Sequence, residues 1–184
     1  QGVLAEKLYG RKWEQLVKEK ILDPLGMTNS NFSVNDLQKA PDFTYGYKEL
    51  KDSVVRMDYM NIDPIGPAGS INSSAKDMAN WMITWINGGK FNGKEVLPAS
   101  YVAQAGSPQM AMGGGPPSAE LSDVFGASYG LGWMIQSYRG HYLVQHGNRQ
   151  VPLGEFFGAE GSAGDDHGLV WRGECARGKL IGTK

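Results

Sequence analysis

Residues 74–87 contain the strongest secondary-structure signal in the sequence, because one face and both ends of the segment are specified. Apolar side chains recur along it at the spacing of a helix face: Met78, Met82, Ile83 and Ile86, with Trp81 and Trp85 alongside. Gly88 follows, and glycine readily adopts the left-handed conformation that ends a helix. The segment therefore predicts an amphipathic helix that any fold of this chain has to include.

The start of this helix also contains a pattern associated with catalysis. Ser73 and Lys76 have the serine-x-x-lysine spacing by which one class of serine hydrolases sets a lysine beside its nucleophile. A serine hydroxyl needs such a base, and residues three apart share a helix face. The same class uses a tyrosine-x-asparagine element, and Tyr59 and Asn61 have that spacing.

The same segment has a structural interpretation, which we favour. Ser74 lies three residues before Asp77, as in a capping box in which a serine oxygen accepts a backbone N–H at the helix start. Asp77 in the first turn also suits the helix dipole. A serine-x-x-lysine pattern is expected about once by chance in a chain this rich in both residues. We therefore interpret these serines as the start of a helix and not as a nucleophile.

Other segments give weaker but readable patterns. Trp13, Leu16, Val17 and Ile21 predict an earlier helix that ends at Asp23-Pro24, because proline disfavours the helical conformation of the residue before it. Residues 31–69 show no sustained period and predict a long, mostly irregular excursion with short strands, a type of loop that is usually functional. The stretch LPASYVAQ predicts a short helix with Pro98 in its first turn.

Two strand-like runs, residues 129–138 and 141–147, are separated by Arg139-Gly140 and predict a β-hairpin. Beyond residue 148 the sequence changes character and becomes rich in glycine and charge. Only GLVW, residues 168–171, resembles a strand there.

Charge and cysteine content exclude several classes of partner. Lysine and arginine number 18 against 19 aspartates and glutamates and form no block, so we expect no nucleic-acid partner. No apolar run approaches the roughly 18 residues of a bilayer span, so a membrane partner is not expected from this segment. Cys175 is the single cysteine, and Asp165-Asp166-His167 is interpreted as a solvated turn. We expect neither a metal nor a cofactor.

Three stretches together resemble the C-terminal part of serine hydrolases of the β-lactamase superfamily. They are GRKWEQLVKEKILDPLGMTNSNF, GPAGSINSSAKDMANWMITWINGGKFNGKEVLP and YGLGWMIQSYRGHYLVQHG. The branch contains class C β-lactamases, D-alanyl-D-alanine carboxypeptidases and related esterases. The resemblance implies an α/β (α+β) fold like that of β-lactamases and penicillin-binding proteins. Such a fold has an antiparallel sheet flanked by helices, and we expect an incomplete domain.

The resemblance also bears on the serine-x-x-lysine pattern. In this family the catalytic serine-x-x-lysine and tyrosine-x-asparagine elements both precede the PLGM segment, so Ser73 and Tyr59 fall in the wrong part of the chain. We expect both catalytic elements to lie outside this sequence and the chain to be inactive alone. The parent would hydrolyse an amide or ester bond of a small-molecule or peptide substrate through an acyl-enzyme. The sequence does not determine the localisation, and the family resemblance is compatible with export to the periplasm or outside the cell.

One site element of the family is retained in part, the histidine-x-glycine triplet on a strand lining the site. By resemblance, His146 is the catalytic residue that binds a substrate carboxylate or helps to move a proton. Gly147 and Arg149 would bind substrate, Arg149 through a backbone N–H in the oxyanion hole. Asn148 departs from the family pattern, which has glycine at this position.

The resemblance divides the chain into two parts. Residues 1–148 are expected to be the C-terminal part of the hydrolase domain. Residues 149–184 lack the alternating apolar strands of the family, and our hypothesis is an atypical glycine-rich tail of non-native sequence. Two alternatives stay open: a non-catalytic ligand-binding module on the same scaffold, and an unrelated α/β interaction domain.

Overall fold

The computed structural model describes residues 1–50, 53–113, 116–120, 122–139, 141–146 and 169–173. These residues divide into two units, the first comprising residues 1–81 and the second beginning at residue 82. Helices and short irregular segments make up most of the first unit. A five-stranded sheet dominates the second.

The first unit begins with two helical segments. Helix α1 spans Gly2–Tyr9 and is followed by Gly10 in the left-handed conformation. A continuous helical run then contains α2 (Trp13–Val17), a π-helical turn (Lys18–Leu22) and α3 (Asp23–Leu25). The inner side of this run supplies buried apolar side chains: Trp13, Leu16, Leu22 and Leu25.

The predicted end of this helical run at Asp23-Pro24 is wrong. The run continues to Leu25 and ends at Gly26, which has φ 64°. Pro24 lies at the start of α3, inside the continuous run, and has no N–H to donate. A π-helical turn, whose N–H groups bond the i−5 carbonyl, lies immediately before α3, and the helical run continues through Pro24.

Residues 31–69 form the predicted excursion of short elements. Helix α4 (Val34–Leu37) begins at Ser33, whose Oγ accepts the backbone N–H of Asn35 at 3.1 Å. Strands β1 (Tyr47–Leu50) and β2 (Ser53–Arg56) pair antiparallel. A 3₁₀ helix, Asp63–Ala68, closes the segment.

Helix α5 (Ala75–Ile86) confirms the helix predicted over residues 74–87, and Gly88 has the expected positive φ of 63°. Its predicted apolar face is only partly correct, because Ile83 and Ile86 are 43% and 37% exposed. The most deeply buried positions are instead Asp77, Thr84 and Trp85. Polar side chains can be buried when they are hydrogen-bonded, and the spacing of apolar residues does not predict which polar residues these are.

The second unit continues with a small hairpin and a helix. Strands β3 (Lys90–Phe91) and β4 (Lys94–Glu95) pair antiparallel. Helix α6 (Ala99–Ala105) confirms the predicted short helix. Pro98 precedes its first turn instead of lying in it, because the backbone there is extended, with φ −58° and ψ 133°.

Among the described residues, the main sheet contains five strands in the order β5-β6-β7-β8-β9, each antiparallel to its neighbours. The strands are β5 (Met110–Ala111), β6 (Ser128–Tyr129), β7 (Met134–Tyr138), β8 (His141–His146) and β9 (Leu169–Gly173). Tyr138 pairs with His141, and Arg139 between them has φ 49°, which confirms the predicted hairpin. The strand predicted at GLVW overlaps β9, which lies beside β8.

Tyr142 on β8 donates its hydroxyl to the carbonyl oxygen of Gly106 at 2.8 Å, and burial raises the pKa of this phenol. We expect Tyr142→Phe to lower the free energy of unfolding near neutral pH by about 1 kcal/mol, the usual contribution of one hydrogen bond. Because the folded-state pKa is raised, this group's pH-linked stability is full below about pH 10 and is lost as the pH rises through the folded-state pKa.

Urea unfolding between neutral and alkaline pH checks both effects. Tyr101→Phe is the control, since it also removes a phenolic hydroxyl but keeps the ring that contacts Trp85. We expect it to change the free energy of unfolding by less than about 0.5 kcal/mol. Equal losses in the two variants would contradict the prediction.

Candidate functional site

His146 is the last residue of β8, and its side chain is exposed. Strand β8 is an interior strand, with β7 on one side and β9 on the other, and His146 pairs with Leu169 of β9. The pairing with β7 extends to the preceding residue, Gln145, so His146 lies where β8 leaves its β7 partner. The other two predicted site residues, Gly147 and Arg149, lie outside the described residues.

The imidazole of His146 is held by the segment that leads into β7. Its Nδ1 lies 2.8 Å from the carbonyl oxygen of Gly132, within hydrogen-bonding distance. The ring also meets the indole of Trp133 edge-on, with 6.4 Å between ring centroids. The β7–β8 register pairs Met134 with Gln145, so its continuation by one residue sets Trp133 opposite His146.

Trp133 links the histidine to other aromatic side chains of the same unit. Its ring contacts that of Trp85 edge-on at 4.7 Å, and Trp85 in turn lies 6.0 Å from Tyr101. Trp85 is only 3% exposed. Trp133 therefore packs against the aromatic rings of this unit and also borders His146.

The turn before β7 is fixed by main-chain contacts. Gly130 N–H donates to the Trp133 carbonyl at 2.8 Å and closes the turn, and Leu131 N–H donates to the Ala105 carbonyl at 3.1 Å. A Cβ on Gly130 would overlap that same Ala105 oxygen, so only glycine allows the turn to lie this close to the end of α6. Helix α6 therefore sets the position of the turn that contacts His146.

The serine-x-x-lysine residues have a different environment. Ser73 Oγ shares a hydrogen bond of 2.8 Å with Ser30 Oγ, and both Ser73 and Lys76 are exposed. Ser74 Oγ accepts the backbone N–H of Asp77 at 3.2 Å, so Ser74 and not Ser73 caps α5. The geometry agrees with the helix-start interpretation and gives Ser73 a hydroxyl partner in place of a base.

Asp77 is a buried carboxylate whose role the sequence does not reveal. It is 1% exposed, and its Oδ2 accepts the Asn29 backbone N–H and the Ser30 hydroxyl, both at 2.8 Å. The predicted capping box is thus confirmed only in its serine half. The carboxylate binds the segment that follows α3 instead of turning back to the start of its own helix.

Tyr59 and Asn61 also have local structural contacts. The Tyr59 ring stacks on Tyr45 with 6.0 Å between centroids. Asn61 Oδ1 accepts the backbone N–H of Asp63 at 2.9 Å, at the start of the 3₁₀ helix. Both residues of the tyrosine-x-asparagine pattern therefore have contacts that organise the excursion.

Within the described ranges, no three histidine, cysteine, aspartate or glutamate side chains come together as metal ligands would. The same ranges contain no helix with the length and apolarity to span a bilayer. The stretch Asp165-Asp166-His167, interpreted from the sequence as a solvated turn, lies outside the described residues.

Comparison with known proteins gives consistent matches. Residues 1–171 match the family model described as Beta-lactamase. Beta-lactamase-like protein 2 of Dictyostelium discoideum is 30% identical over 115 residues, covering 58% of this chain and 19% of that protein. The octameric penicillin-binding protein homologue from Pyrococcus abyssi has a TM-score of 0.63 and 26% identity, covering 79% of this chain and 30% of that one.

The D-stereospecific amidohydrolase from Streptomyces sp. superposes with a TM-score of 0.53 and 21% identity over 79% of this chain and 39% of its own, which shows a shared fold. The chain thus spans about a fifth of the Dictyostelium relative and less than half of both solved chains. These matches confirm the predicted fold class and its partial extent. The proposed division between residues 148 and 149 stays a prediction.

Proposed function

Because the chain belongs to the beta-lactamase family of hydrolases, we propose that it is part of a serine hydrolase that cleaves amide or ester bonds through an acyl-enzyme. The substrate would be a small molecule or a peptide: a β-lactam, a D-alanyl peptide or a small ester. The observation that carries this proposal is His146, an exposed imidazole at the end of an interior strand, with Gly132 and Trp133 fixing its ring.

The contribution of this chain is the strand that lines the site and not the attacking group. Three observations support this division of roles: Ser73 Oγ is hydrogen-bonded to Ser30, Lys76 is exposed, and Tyr59 stacks on Tyr45. The nucleophile and its bases would come from serine-x-x-lysine and tyrosine-x-asparagine elements of the parent protein. His146 would act on the substrate, with Gly147 and the Arg149 backbone N–H completing the binding side.

We expect the chain alone to show no turnover of a chromogenic β-lactam or a p-nitrophenyl ester, because a serine without a base is a poor nucleophile. A fluorophosphonate probe should leave Ser73 unmodified, as judged by peptide mass spectrometry. A covalent adduct that disappears in Ser73→Ala would falsify the proposal. Binding of a peptidoglycan peptide without acylation would instead favour a non-catalytic binding module.

The positive test uses the coding sequence upstream of Gln1. If it encodes the two elements in the family order, the joined protein should hydrolyse one of these substrates. Its His146→Ala variant should then lose about 10²-fold or more in kcat/KM, the usual effect of removing a proton-transfer group. His141→Ala, at the other end of the same strand, is the matched control and should retain activity. An active His146→Ala enzyme would remove this residue from the mechanism.

A further inference from the structure

The hydrogen bond between His146 and Gly132 restricts the chemistry of the imidazole. A carbonyl oxygen only accepts hydrogen bonds. For a hydrogen bond between the two atoms, Nδ1 therefore has to carry a proton and donate it. The distance of 2.8 Å is that of a well-formed bond. When the ring is neutral, Nε2 therefore has no proton and presents a lone pair.

We propose that Gly132 is a positioning residue that holds neutral His146 as the Nδ1–H tautomer, with Nε2 as the hydrogen-bond acceptor facing the substrate. This inference rests on the proposed function and concerns the neutral ring, for which it favours proton transfer among the two roles that the family resemblance allows for His146. A bare Nε2 accepts a proton from an O–H or N–H group. The neutral ring cannot donate from Nε2 to a substrate carboxylate, so in this state His146 is suited to proton transfer.

Proton transfer through Nε2 leaves the Gly132 contact intact. When Nε2 takes a proton from a hydroxyl or an amine, the ring becomes an imidazolium and Nδ1–H still donates to the same carbonyl. When Nε2 returns the proton to a leaving group, the ring regains its original tautomer. The backbone carbonyl thus orients the ring throughout the cycle, as a carboxylate does for other catalytic histidines.

The conformation of Gly132 explains why glycine is needed at this position. Its φ is 89°, which side-chain-bearing residues rarely adopt, while the space around an added Cβ is open. The requirement is therefore for the backbone conformation and not for small size. That conformation aims the carbonyl at His146, and the adjoining turn is fixed by its contacts with Ala105 and by the Gly130–Trp133 hydrogen bond.

The tautomer can be measured directly in the ¹⁵N-labelled chain without substrate. Long-range ¹H–¹⁵N correlation spectra distinguish a protonated from a bare ring nitrogen, and a pH of about 8.5 keeps an ordinary histidine neutral. His146→Gln identifies the signals of this ring by their loss. We expect Nδ1 to be protonated and Nε2 to be bare in the wild-type chain.

Gly132→Val tests whether the glycine sets this state. A β-branched residue is a conformational outlier at this φ, so the turn should relax and the Nδ1–H tautomer should lose its dominance. Gly126→Val is the matched control: Gly126 also has a positive φ, 73°, and open space, and lies in the same unit. Its spectrum should keep the wild-type tautomer.

Two results would overturn the proposal: a dominant Nε2–H tautomer in the wild-type chain, or an unchanged tautomer in folded Gly132→Val. If that variant does not fold, the wild-type spectrum alone decides. Neither result depends on turnover, so failure of the hydrolase proposal and failure of this one are separable. An Nδ1–H ring in a parent that acylates nothing would leave the positioning role intact and remove the hydrolytic one.

Discussion

Replacing Gly89 by alanine is expected to destabilise the second unit by about 4 kcal/mol, because two separate costs add at this position. Gly89 has φ 98°, a conformation that strains a residue bearing a side chain. A Cβ there would also overlap the carbonyl oxygen of Leu97, a main-chain atom that cannot turn aside. The Gly89 carbonyl meanwhile accepts the N–H groups of Val96 and Leu97, at 2.8 and 3.0 Å.

Native-state hydrogen exchange at the Val96 and Leu97 amides measures the loss of stability at the backbone groups that Gly89 contacts. Both amides should exchange much faster in Gly89→Ala, since the backbone that accepts them has to move. Gly93→Ala is the matched control: it has φ 78° but nothing within 4 Å of an added Cβ, so only the conformational cost of about 1–2 kcal/mol applies. Equal effects of the two substitutions would show that the Leu97 contact has no energetic weight.

Asp77→Ala is expected to lower the free energy of unfolding of the first unit by about 3 kcal/mol. The substitution removes the acceptor for the Asn29 N–H and the Ser30 hydroxyl, and an unsatisfied buried donor costs about 1–3 kcal/mol. It also removes an acidic side chain from the first turn of α5, where its interaction with the helix dipole contributes a further amount of about 0.3–1 kcal/mol. Urea unfolding followed by fluorescence is a suitable measurement.

Two single substitutions separate the parts of this effect. Ser30→Ala removes one of the two donors and should cost about 1 kcal/mol. Ser73→Ala removes only an exposed hydroxyl bonded to Ser30, and should change stability by less than about 0.5 kcal/mol. If Ser73→Ala proved as costly as Asp77→Ala, the hydroxyl pair and not the carboxylate would be the main link between these segments.

The ends of α5 and the hairpin around Arg139 can be predicted from the sequence because the causes are local. A serine three residues before Asp77, and a glycine after the last helical turn, act through neighbouring backbone atoms. The two-residue connection between β7 and β8 likewise leaves antiparallel pairing as the available geometry. Each of these features is decided within about ten residues of sequence.

Other features depend on contacts between distant segments, and the sequence does not show them. Asp77 binds backbone and side-chain groups 47 and 48 residues earlier in the chain. Ile83 and Ile86 are exposed because other parts of the chain cover a different side of α5. The spacing of apolar residues predicts the helix but not which of its sides is covered. The helical run also continues through Pro24 after a π-helical turn, which no residue type in the sequence indicates.

The candidate site shows the same division. His146 can be identified from its triplet and its strand. The role of Gly132 depends on a hydrogen bond between His146 and the turn that precedes β7, which the β7–β8 pairing brings close together. The repeated glycines of YGLGW are the one sequence clue, since they indicate a turn with unusual backbone angles. They give no indication that one carbonyl points at a histidine fourteen residues later.

The shortness of β5 has a practical consequence for work with the purified chain. A two-residue strand at the margin of the sheet offers very few main-chain groups to an incoming chain, so intermolecular strand addition there is disfavoured. Helix α1, by contrast, leaves Val3, Leu4 and Leu8 between 60% and 72% exposed. These neighbouring apolar side chains form an exposed cluster on one short helix, so polar replacements on α1 are expected to reduce precipitation at high protein concentration.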